Sequence, residues 1–165
     1  MKQARLLGVA VSIALGGFAQ ASYADPAKEL EVYKSSLGKF ACNAKETGSG
    51  KQFKVTVEKT VEFDHTYLER YTEAKSADHP NPWNAVFLMS YDAESKMWVR
   101  NGVDNSGSRN SGTSAGWQGD TWTWDVGGAN IVIDRKGANG FDFAVDVKQK
   151  EGGVKRVAEA TCKRV

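Results

Sequence analysis

The 165-residue sequence has two histidines, His65 and His79, and each follows an aspartate. An acid beside a histidine is one part of a hydrolytic triad, which also needs a nucleophile that the histidine can deprotonate. No Gly-x-Ser-x-Gly turn is present, and Ser108, Ser111 and Ser114 lie in a segment without apolar periodicity that would hold a nucleophile poorly. We therefore expect two surface histidines in turns and no catalytic residues.

Metal chemistry has little support in the sequence. The two histidines do not stand at a zinc-type spacing, and neither cysteine has a histidine near it along the chain. The aspartates Asp125, Asp134, Asp142 and Asp146 are spread along strand-like segments, which is typical of an outer strand face and not of a calcium-binding loop. The sequence therefore predicts no metal site.

Aromatic residues give the stronger signal. The chain has five tryptophans and five tyrosines, and such side chains either fill a core or line a cavity that binds a ligand through its apolar surface. The sequence leaves both interpretations open. As candidate ligand contacts it offers six residues on predicted strands: Tyr67, Tyr71, Trp98, Arg100, Trp122 and Trp124.

Arg100 is the one cation among these candidates. It shares a strand face with Trp98, while the two candidate tyrosines share a face with Glu69 on another strand. A cation among aromatic side chains inside a barrel would suit a ligand carboxylate. The opposite orientation is also open, because Val99 and Val103 form an apolar face on the same strand as Arg100.

The N-terminal residues have the pattern of an export signal. Lys2 and Arg5 precede an uncharged apolar stretch over residues 6–18, and Ser22 and Ala24 supply small residues before Asp25. The apolar stretch is too short for a membrane anchor, which is the alternative interpretation. We predict a cleavable signal peptide over 1–24, a periplasmic or secreted protein, and no stable membrane anchor.

Removal of that peptide changes the charge balance. The full chain has 22 basic and 20 acidic residues, and the first 24 residues contain two of the basic ones and no acidic one, which leaves 20 of each. A neutral chain lacks the basic surface that nucleic acids and anionic membranes attract. We therefore expect neither as a partner, and a single domain over 25–165.

The two cysteines predict a disulfide. An even pair in an exported chain usually bonds, and no Cys-x-x-Cys motif points to redox or metal chemistry instead. Cys42 lies on the first predicted strand and Cys162 on the last. A bond between them would make these strands neighbours, which is the contact that closes a sheet into a barrel, although a sandwich could also bring them together.

Strands dominate the chain after Gly38. Period-two alternation is clearest at 53–58, 121–126 and 141–148. Weaker candidates are 39–45, 65–75, 83–91, 96–104, 129–136 and 154–163. Glycine-rich turns separate them. The pattern predicts an all-β fold, an antiparallel meander barrel of about 8–10 strands.

Two segments depart from this pattern. Residues 25–37 carry Leu30, Tyr33 and Leu37 at helical spacing with Pro26 at the start, which predicts a short N-terminal helix. Residues 104–116 are rich in serine, glycine and asparagine, which predicts a long mobile loop or a pair of edge strands.

The order of a short helix, then Leu37-Gly38-Lys39-Phe40, then a strand meander resembles the lipocalin-like (calycin) proteins. That family enters its first strand through Gly-x-Trp, and Phe40 stands at the aromatic position here. The segment from Trp117 to Trp122 also resembles exported bacterial families of unknown function. The resemblance implies a barrel whose interior holds a small apolar ligand. A related haem-binding family carries its axial ligand on the C-terminal strands, which have no histidine here, so no cofactor is expected.

Three functions follow as hypotheses. The leading one is a binding protein for a small apolar or amphipathic molecule in a barrel cavity. The second is a protein-interaction module, an inhibitor or envelope-stress factor, with the 104–116 segment as its contact. The third is an isomerase-like enzyme, which needs an acid or base such as Glu69 or His65 pointing into the cavity.

Overall fold

The computed structural model describes residues 31, 33–63, 66–77 and 79–165. Its fold is all-β and antiparallel, as the alternation of the sequence predicts. The strands are β1 Gly38–Glu46, β2 Gln52–Glu62, β3 Thr66–Glu73, β4 Asn84–Asp92, β5 Met97–Asp104, β6 Arg109–Ser114, β7 Trp117–Gln118, β8 Thr121–Asp125, β9 Ala129–Arg135, β10 Gly140–Lys148 and β11 Val154–Arg164. A single-turn 3-10 helix, Gly137–Asn139, links β9 to β10. Within the described ranges, no helix is long and apolar enough to cross a membrane.

The sheet closes on itself as a barrel of ten strands. Strands β1 to β6 pair in sequence order, β8 to β11 do the same, and β1 pairs with β11. The remaining gap is closed by β6 and β8, where Thr113 lies opposite Asp125. The two-residue strand β7 continues β6 along the same edge of β8, with Trp117 opposite Trp122. Every strand of the ring therefore has a neighbour on each side, although the contact between β6 and β8 is a single residue pair.

The predicted disulfide lies on the seam between the first and last strands. Cys42 and Cys162 are bonded and stand directly opposite each other in the β1–β11 pairing. The bond joins positions 120 residues apart in sequence. In the chain-entropy description, a loop of that length stabilises the folded state by about 4–5 kcal/mol. The predicted disulfide is confirmed. The closed order of strands also confirms the barrel over the sandwich.

The alternation of side chains settles which strand faces point inward. On β5, Trp98 and Arg100 are 1% and 2% exposed, whereas Val103 is 54% exposed. The polar Arg100 can occupy the interior because its guanidinium lies against the ring of Phe87, with 3.8 Å from Cζ to the ring centroid. Such a stack retains part of the interaction that the cation loses with water.

The serine- and glycine-rich segment 104–116 contains β6, the strand at which the barrel closes. Its β6 positions Gly112 and Ser114 face inward opposite Arg100 and Trp98 of β5. A Cβ atom on Gly112 would lie 2.8 Å from the carbonyl oxygen of Asp125. Small residues are needed beside two large neighbours, so this strand shows no apolar periodicity in the sequence.

Most of the predicted N-terminal helix, and all of the predicted signal peptide, lie outside the described residues. The described part is helical at Tyr33 and Lys34 and turns at Ser35 and Ser36. The amide of Leu37 then donates to the carbonyl of Lys34, 3.1 Å away, just before β1 begins. This short segment delivers the side chain of Tyr33 into the barrel.

Candidate ligand cavity

The barrel interior contains two cavities, one toward each end, which share Phe141 as a wall. The first has a volume of about 300 Å³ and includes Tyr33 in its lining, and we name this part of the interior the Tyr33 end. The second has a volume of about 340 Å³ and includes Trp83, and we name that part the Trp83 end. The two ends differ in what fills them and in how their charges are paired.

At the Tyr33 end, the segment before β1 lies across the barrel. The Tyr33 ring is 3% exposed and sits 4.5 Å from the Tyr67 ring and 5.3 Å from the Trp98 ring, measured between centroids. Arg164 holds the segment in place by donating from Nη1 to the carbonyl of Leu37 over 2.6 Å. The aromatic packing and the tether together occupy much of this end.

A buried carboxylate organises the same end. Glu69 Oε1 lies 2.7 Å from Lys59 Nζ and accepts a 2.7 Å hydrogen bond from the Tyr33 hydroxyl. Its other oxygen, Oε2, accepts from the Tyr71 hydroxyl over 2.9 Å. Both oxygens therefore have partners, as a carboxylate that is 1% exposed requires.

These partners keep Glu69 ionised. Burial alone would raise its pKa, but the charges of Lys59 and Arg100 and the hydrogen bonds outweigh burial and lower the pKa from 4.5 to about 2. Burial and the nearby carboxylate also raise the pKa of Tyr33 and Tyr71 well above 10.0, so both hydroxyls remain protonated donors. Glu69 is therefore a carboxylate, and the Tyr33 and Tyr71 hydroxyls are protonated, across the physiological pH range.

The cavity at the Trp83 end has mainly apolar walls. Aliphatic and aromatic side chains from β1, β2, β9, β10 and β11 contribute Ala44, Phe53, Val55, Val57, Ile131, Phe143, Val145 and Ala160. Trp83 is 40% exposed and Asn110 is also exposed, so the cavity reaches the surface between these lining residues. A pocket with apolar walls and few polar groups has the general composition of a small-molecule site.

Arg100 is the buried cation of this cavity. Its Nε and Nη1 atoms have no hydrogen-bond partner among the described residues, and no described carboxylate lies within 4 Å of its guanidinium nitrogens. Its Cζ lies 3.8 Å from the Phe87 ring centroid and 5.5 Å from that of Trp124. Burying a cation that is 2% exposed without an ion-pair partner is costly.

The rim of the Trp83 end carries an acid–histidine pair. Glu73 Oε1 lies 2.7 Å from His79 Nδ1, and Glu73 Oε2 accepts a 2.8 Å hydrogen bond from the Trp83 amide. The His79 ring packs on Phe53, with 4.7 Å between centroids. The expectation of a plain surface histidine is therefore wrong for His79, whose side chain is 15% exposed, because the rim segment folds back onto β3. His65 lies outside the described residues.

The six predicted ligand contacts all point inward, but they do not form one site. Tyr71 and Arg100 line the Trp83-end cavity, and Trp122 and Trp124 line the other. Tyr67 and Trp98 line neither cavity and pack as core. Sequence reasoning missed Lys59, whose signal was available: it continues the inward alternation of Val55 and Val57 on β2.

The arrangement offers little for acid–base or metal chemistry. Glu69 does point inward, as the enzyme hypothesis requires, but a carboxylate with a pKa of about 2 is a weak base at neutral pH. Among the described residues, no group of three or more histidine, cysteine, aspartate or glutamate side chains is placed to hold a metal ion.

The barrel is similar to a solved structure, and the chain matches nothing by sequence. The crystal structure of Rv2717c from M. tuberculosis superposes with a TM-score of 0.64 at 11% identity, over 86% of this chain and 99% of that one. At that identity the likeness shows the fold alone. No protein-family model matches the chain, and no curated protein matches it.

Two designed barrels are weaker structural neighbours. A redesigned β-barrel has a TM-score of 0.46 at 10% identity, over 81% of this chain and 95% of its own. A de novo designed fluorescence-activating β-barrel has a TM-score of 0.46 at 14% identity, over 81% and 97%. These two likenesses carry no functional argument.

Proposed function

We propose that this protein binds a small amphipathic molecule in the cavity at the Trp83 end. The observation that carries the proposal is the cavity itself, about 340 Å³ with mainly apolar walls, whereas the cavity of about 300 Å³ at the Tyr33 end has Lys59, Glu69, Arg135 and Arg164 in its lining. Apolar surface that stays in contact with water inside a barrel is unfavourable, and an apolar ligand body would remove it.

The volume indicates how much of a ligand can be enclosed. One water molecule takes about 30 Å³ in the liquid, so the cavity can enclose about 11 non-hydrogen atoms of similar size. This matches a ten-carbon chain or a small ring system. Decanoate and decan-1-ol are therefore suitable first probes, because they share a chain and differ in the head group.

Filling the cavity tests the proposal. Ala44 is buried on β1 and lines the cavity, whereas Ala41 is exposed on the outer face of the same strand. Isothermal titration calorimetry should show one-to-one binding of at least one probe to the wild type. Ala44→Phe should abolish that binding and Ala41→Phe should leave it unchanged. Absence of binding by both probes, or binding that survives Ala44→Phe, would contradict the proposal.

Fluorescence gives an independent readout of where the probe sits. Trp83 lines the cavity, whereas Trp98 is packed in the core. A saturable change in tryptophan emission should therefore disappear in Trp83→Phe and persist in Trp98→Phe. Calorimetric binding should survive in Trp83→Phe, which separates loss of the reporter from loss of the site.

The compartment and the family belong to the same proposal. The bonded Cys42–Cys162 pair is consistent with an oxidising compartment, which supports a periplasmic or secreted protein. The closed up-and-down barrel supports a lipocalin-like relationship, although lipocalins have eight strands and this barrel has ten. N-terminal sequencing of the protein from an expressing cell's envelope fraction would test the predicted cleavage before Asp25.

A second candidate, a protein-interaction module, is favoured by the outer face of β4 and β5. Leu88 and Val103 are 47% and 54% exposed there, and Val86 pairs with Val103. Exposed apolar side chains in a cluster are typical of protein contacts. The 104–116 segment, the contact that the sequence suggested for this role, contains β6, which pairs with β5 and meets β8 where Thr113 lies opposite Asp125. Leu88→Lys should remove any envelope protein that the wild type retains, and an unchanged set would count against this face.

A further inference from the structure

Four acidic or basic side chains on the inward strand faces are buried. Lys59, Glu69, Glu73 and Arg100 are 3%, 1%, 7% and 2% exposed. Lys59 is paired with Glu69, and Glu73 lies 2.7 Å from His79 Nδ1, which leaves Arg100 as the cation without an ion-pair partner among the described residues. A buried charge is screened less by the solvent than a charge on the surface.

Glu69 does not serve as the counter-ion of Arg100. Its Oε1 is shared by Lys59 Nζ and the Tyr33 hydroxyl, both at 2.7 Å. Its Oε2 accepts from Tyr71. The carboxylate is thereby held toward Lys59, and its distance from Arg100 exceeds the 4.0 Å of an ion pair. The charge of Arg100 still acts on Glu69 through space, since it contributes to lowering the Glu69 pKa.

The other acids near Arg100 are committed elsewhere. Glu73 is paired with His79 and with the Trp83 amide. Asp104 accepts from the Trp83 indole over 3.3 Å and from the Ser106 amide over 2.9 Å at the mouth of the cavity. Glu159 lies exposed in the lining. Arg100 therefore lines an apolar cavity without a carboxylate partner, and its buried Nε and Nη1 atoms have no hydrogen-bond partner among the described residues.

We infer that the ligand is a monoanion, an amphiphile whose carboxylate is bound by Arg100, and that Lys59 sets this specificity without touching it. The inference rests on the proposed function and names the chemistry of the head group. Lys59 lines the Tyr33-end cavity and not the ligand cavity. It is a positioning residue: by holding Glu69, it leaves Arg100 free to bind an anion.

A single negative charge would pair the charge of Arg100. Arginine binds a carboxylate most strongly through two parallel hydrogen bonds, from Nε with Nη2 or from Nη1 with Nη2. A neutral alcohol would leave the Arg100 charge unpaired. A dianion would add a second negative charge that Arg100 does not pair.

The head group is tested by calorimetry with decanoate and decan-1-ol at pH 7.5, where decanoate is ionised. The wild type should bind decanoate roughly 10–100-fold more tightly than decan-1-ol, the range that corresponds to a hydrogen-bonded charge. Arg100→Met should remove that preference while the binding of decan-1-ol persists. Equal binding of the two probes by the wild type would overturn the inference.

The role of Lys59 needs two further variants. In Lys59→Met, Glu69 loses its cation and becomes the internal counter-ion of Arg100, so the preference for decanoate should fall at least tenfold. In the double variant Lys59→Met/Glu69→Gln the charge of Arg100 is again unpaired, and the preference should return with it. If Lys59 affected the decanoate preference only by stabilising the fold, adding Glu69→Gln to Lys59→Met would not restore that preference.

The outcomes separate the two proposals. Failure of both probes to bind the wild type contradicts the proposed function, whereas equal binding contradicts only the choice of head group. A Lys59→Met protein that keeps the decanoate preference, or a double variant that lacks it, overturns the role of Lys59. Near-UV circular dichroism checks the fold of each variant. If Lys59→Met fails to fold, Lys59→Gln, which also removes the cation but keeps a hydrogen-bond donor to Glu69, replaces it with the same expected loss of preference.

Discussion

The two ends of the barrel solve the same problem in opposite ways. At the Tyr33 end, a buried carboxylate has a cation and two hydroxyl donors, and an aromatic side chain from outside the sheet packs beside a cavity with charged residues in its lining. At the Trp83 end, a buried guanidinium has aromatic faces beside it but no carboxylate partner among the described residues, and the cavity has mainly apolar walls.

The barrel therefore has a buried charge with partners at one end and a buried charge without an ion-pair partner at the other. The chain before β1 crosses one end of the barrel and places Tyr33 inside it. The Tyr33 hydroxyl there donates a hydrogen bond to Glu69. Among the described residues, no such segment enters the Trp83 end. A buried polar group without a partner is uncommon in folded proteins. Under the proposed function, stability and binding depend on different ends.

The largest effect should come from Glu69→Gln. Removing this charge leaves Lys59 and Arg100 buried without an anion, and breaking a buried ion pair from one side typically lowers the free energy of unfolding by about 3–5 kcal/mol. Urea denaturation measures it. Glu73→Gln is the matched control, because Glu73 is the second inward-facing residue after Glu69 on β3. Its free energy of unfolding should fall by less than about 1.5 kcal/mol, because its partner His79 is partly exposed. Equal losses would break the contrast between the ends.

Acid should weaken the Tyr33 end in a defined pH window. The pKa of Glu69 is about 2 in the folded state against 4.5 for the free group. Because the folded value is lower, the contribution is complete above pH 4.5 and disappears as the pH falls toward 2, with a total of about 3 kcal/mol. Unfolding free energies of wild type and Glu69→Gln should converge across this window. A constant gap between them from pH 6 to pH 2.5 would contradict the assignment.

The two tyrosines should each contribute a smaller amount through the same carboxylate. Tyr33→Phe and Tyr71→Phe each remove one hydroxyl donor to Glu69 and should lower the unfolding free energy by about 1.5–3 kcal/mol, as for hydrogen bonds to charged groups. In the Glu69→Gln background both losses should shrink, which a double-mutant cycle measures as coupling. Losses that add without coupling would show that the rings, and not the hydroxyls, carry the effect.

The fold was accessible from the sequence, and the division of the interior was not. Period-two alternation located the strands, and the positions of Cys42 and Cys162 on the first and last of them indicated closure. Alternation alone could not orient β5, because both of its faces contain apolar residues; the packing of Arg100 on Phe87 across β4 and β5 decides it. The strand β6 was obscured because its inward residues are small.

The grouping of inward residues into two ends depends on register, which only pairing defines. Tyr71 and Trp122 are both inward and aromatic, yet they line different cavities. The ion pair of Lys59 with Glu69 follows from their opposition in the β2–β3 ladder. A one-residue change of register would turn one strand's inward set outward, so these partners cannot be assigned before the register is known.

The smallest stability effect should also have the opposite sign. Arg100→Met removes a buried cation that lacks an ion-pair partner and replaces it with an apolar side chain against Phe87 and Trp124. Desolvation of the charge is relieved, while the cation–π contacts and the attraction to Glu69 are lost, so the unfolding free energy should stay equal or rise by up to about 2 kcal/mol. Arg100→Gln is the control that keeps a polar group in the apolar cavity, and it should be less stable than Arg100→Met. Thermal and urea denaturation of the ligand-free variants measure both. A loss of several kcal/mol in Arg100→Met, similar to that of Glu69→Gln, would mean that Arg100 belongs to the paired network of the Tyr33 end and is not free to bind a ligand.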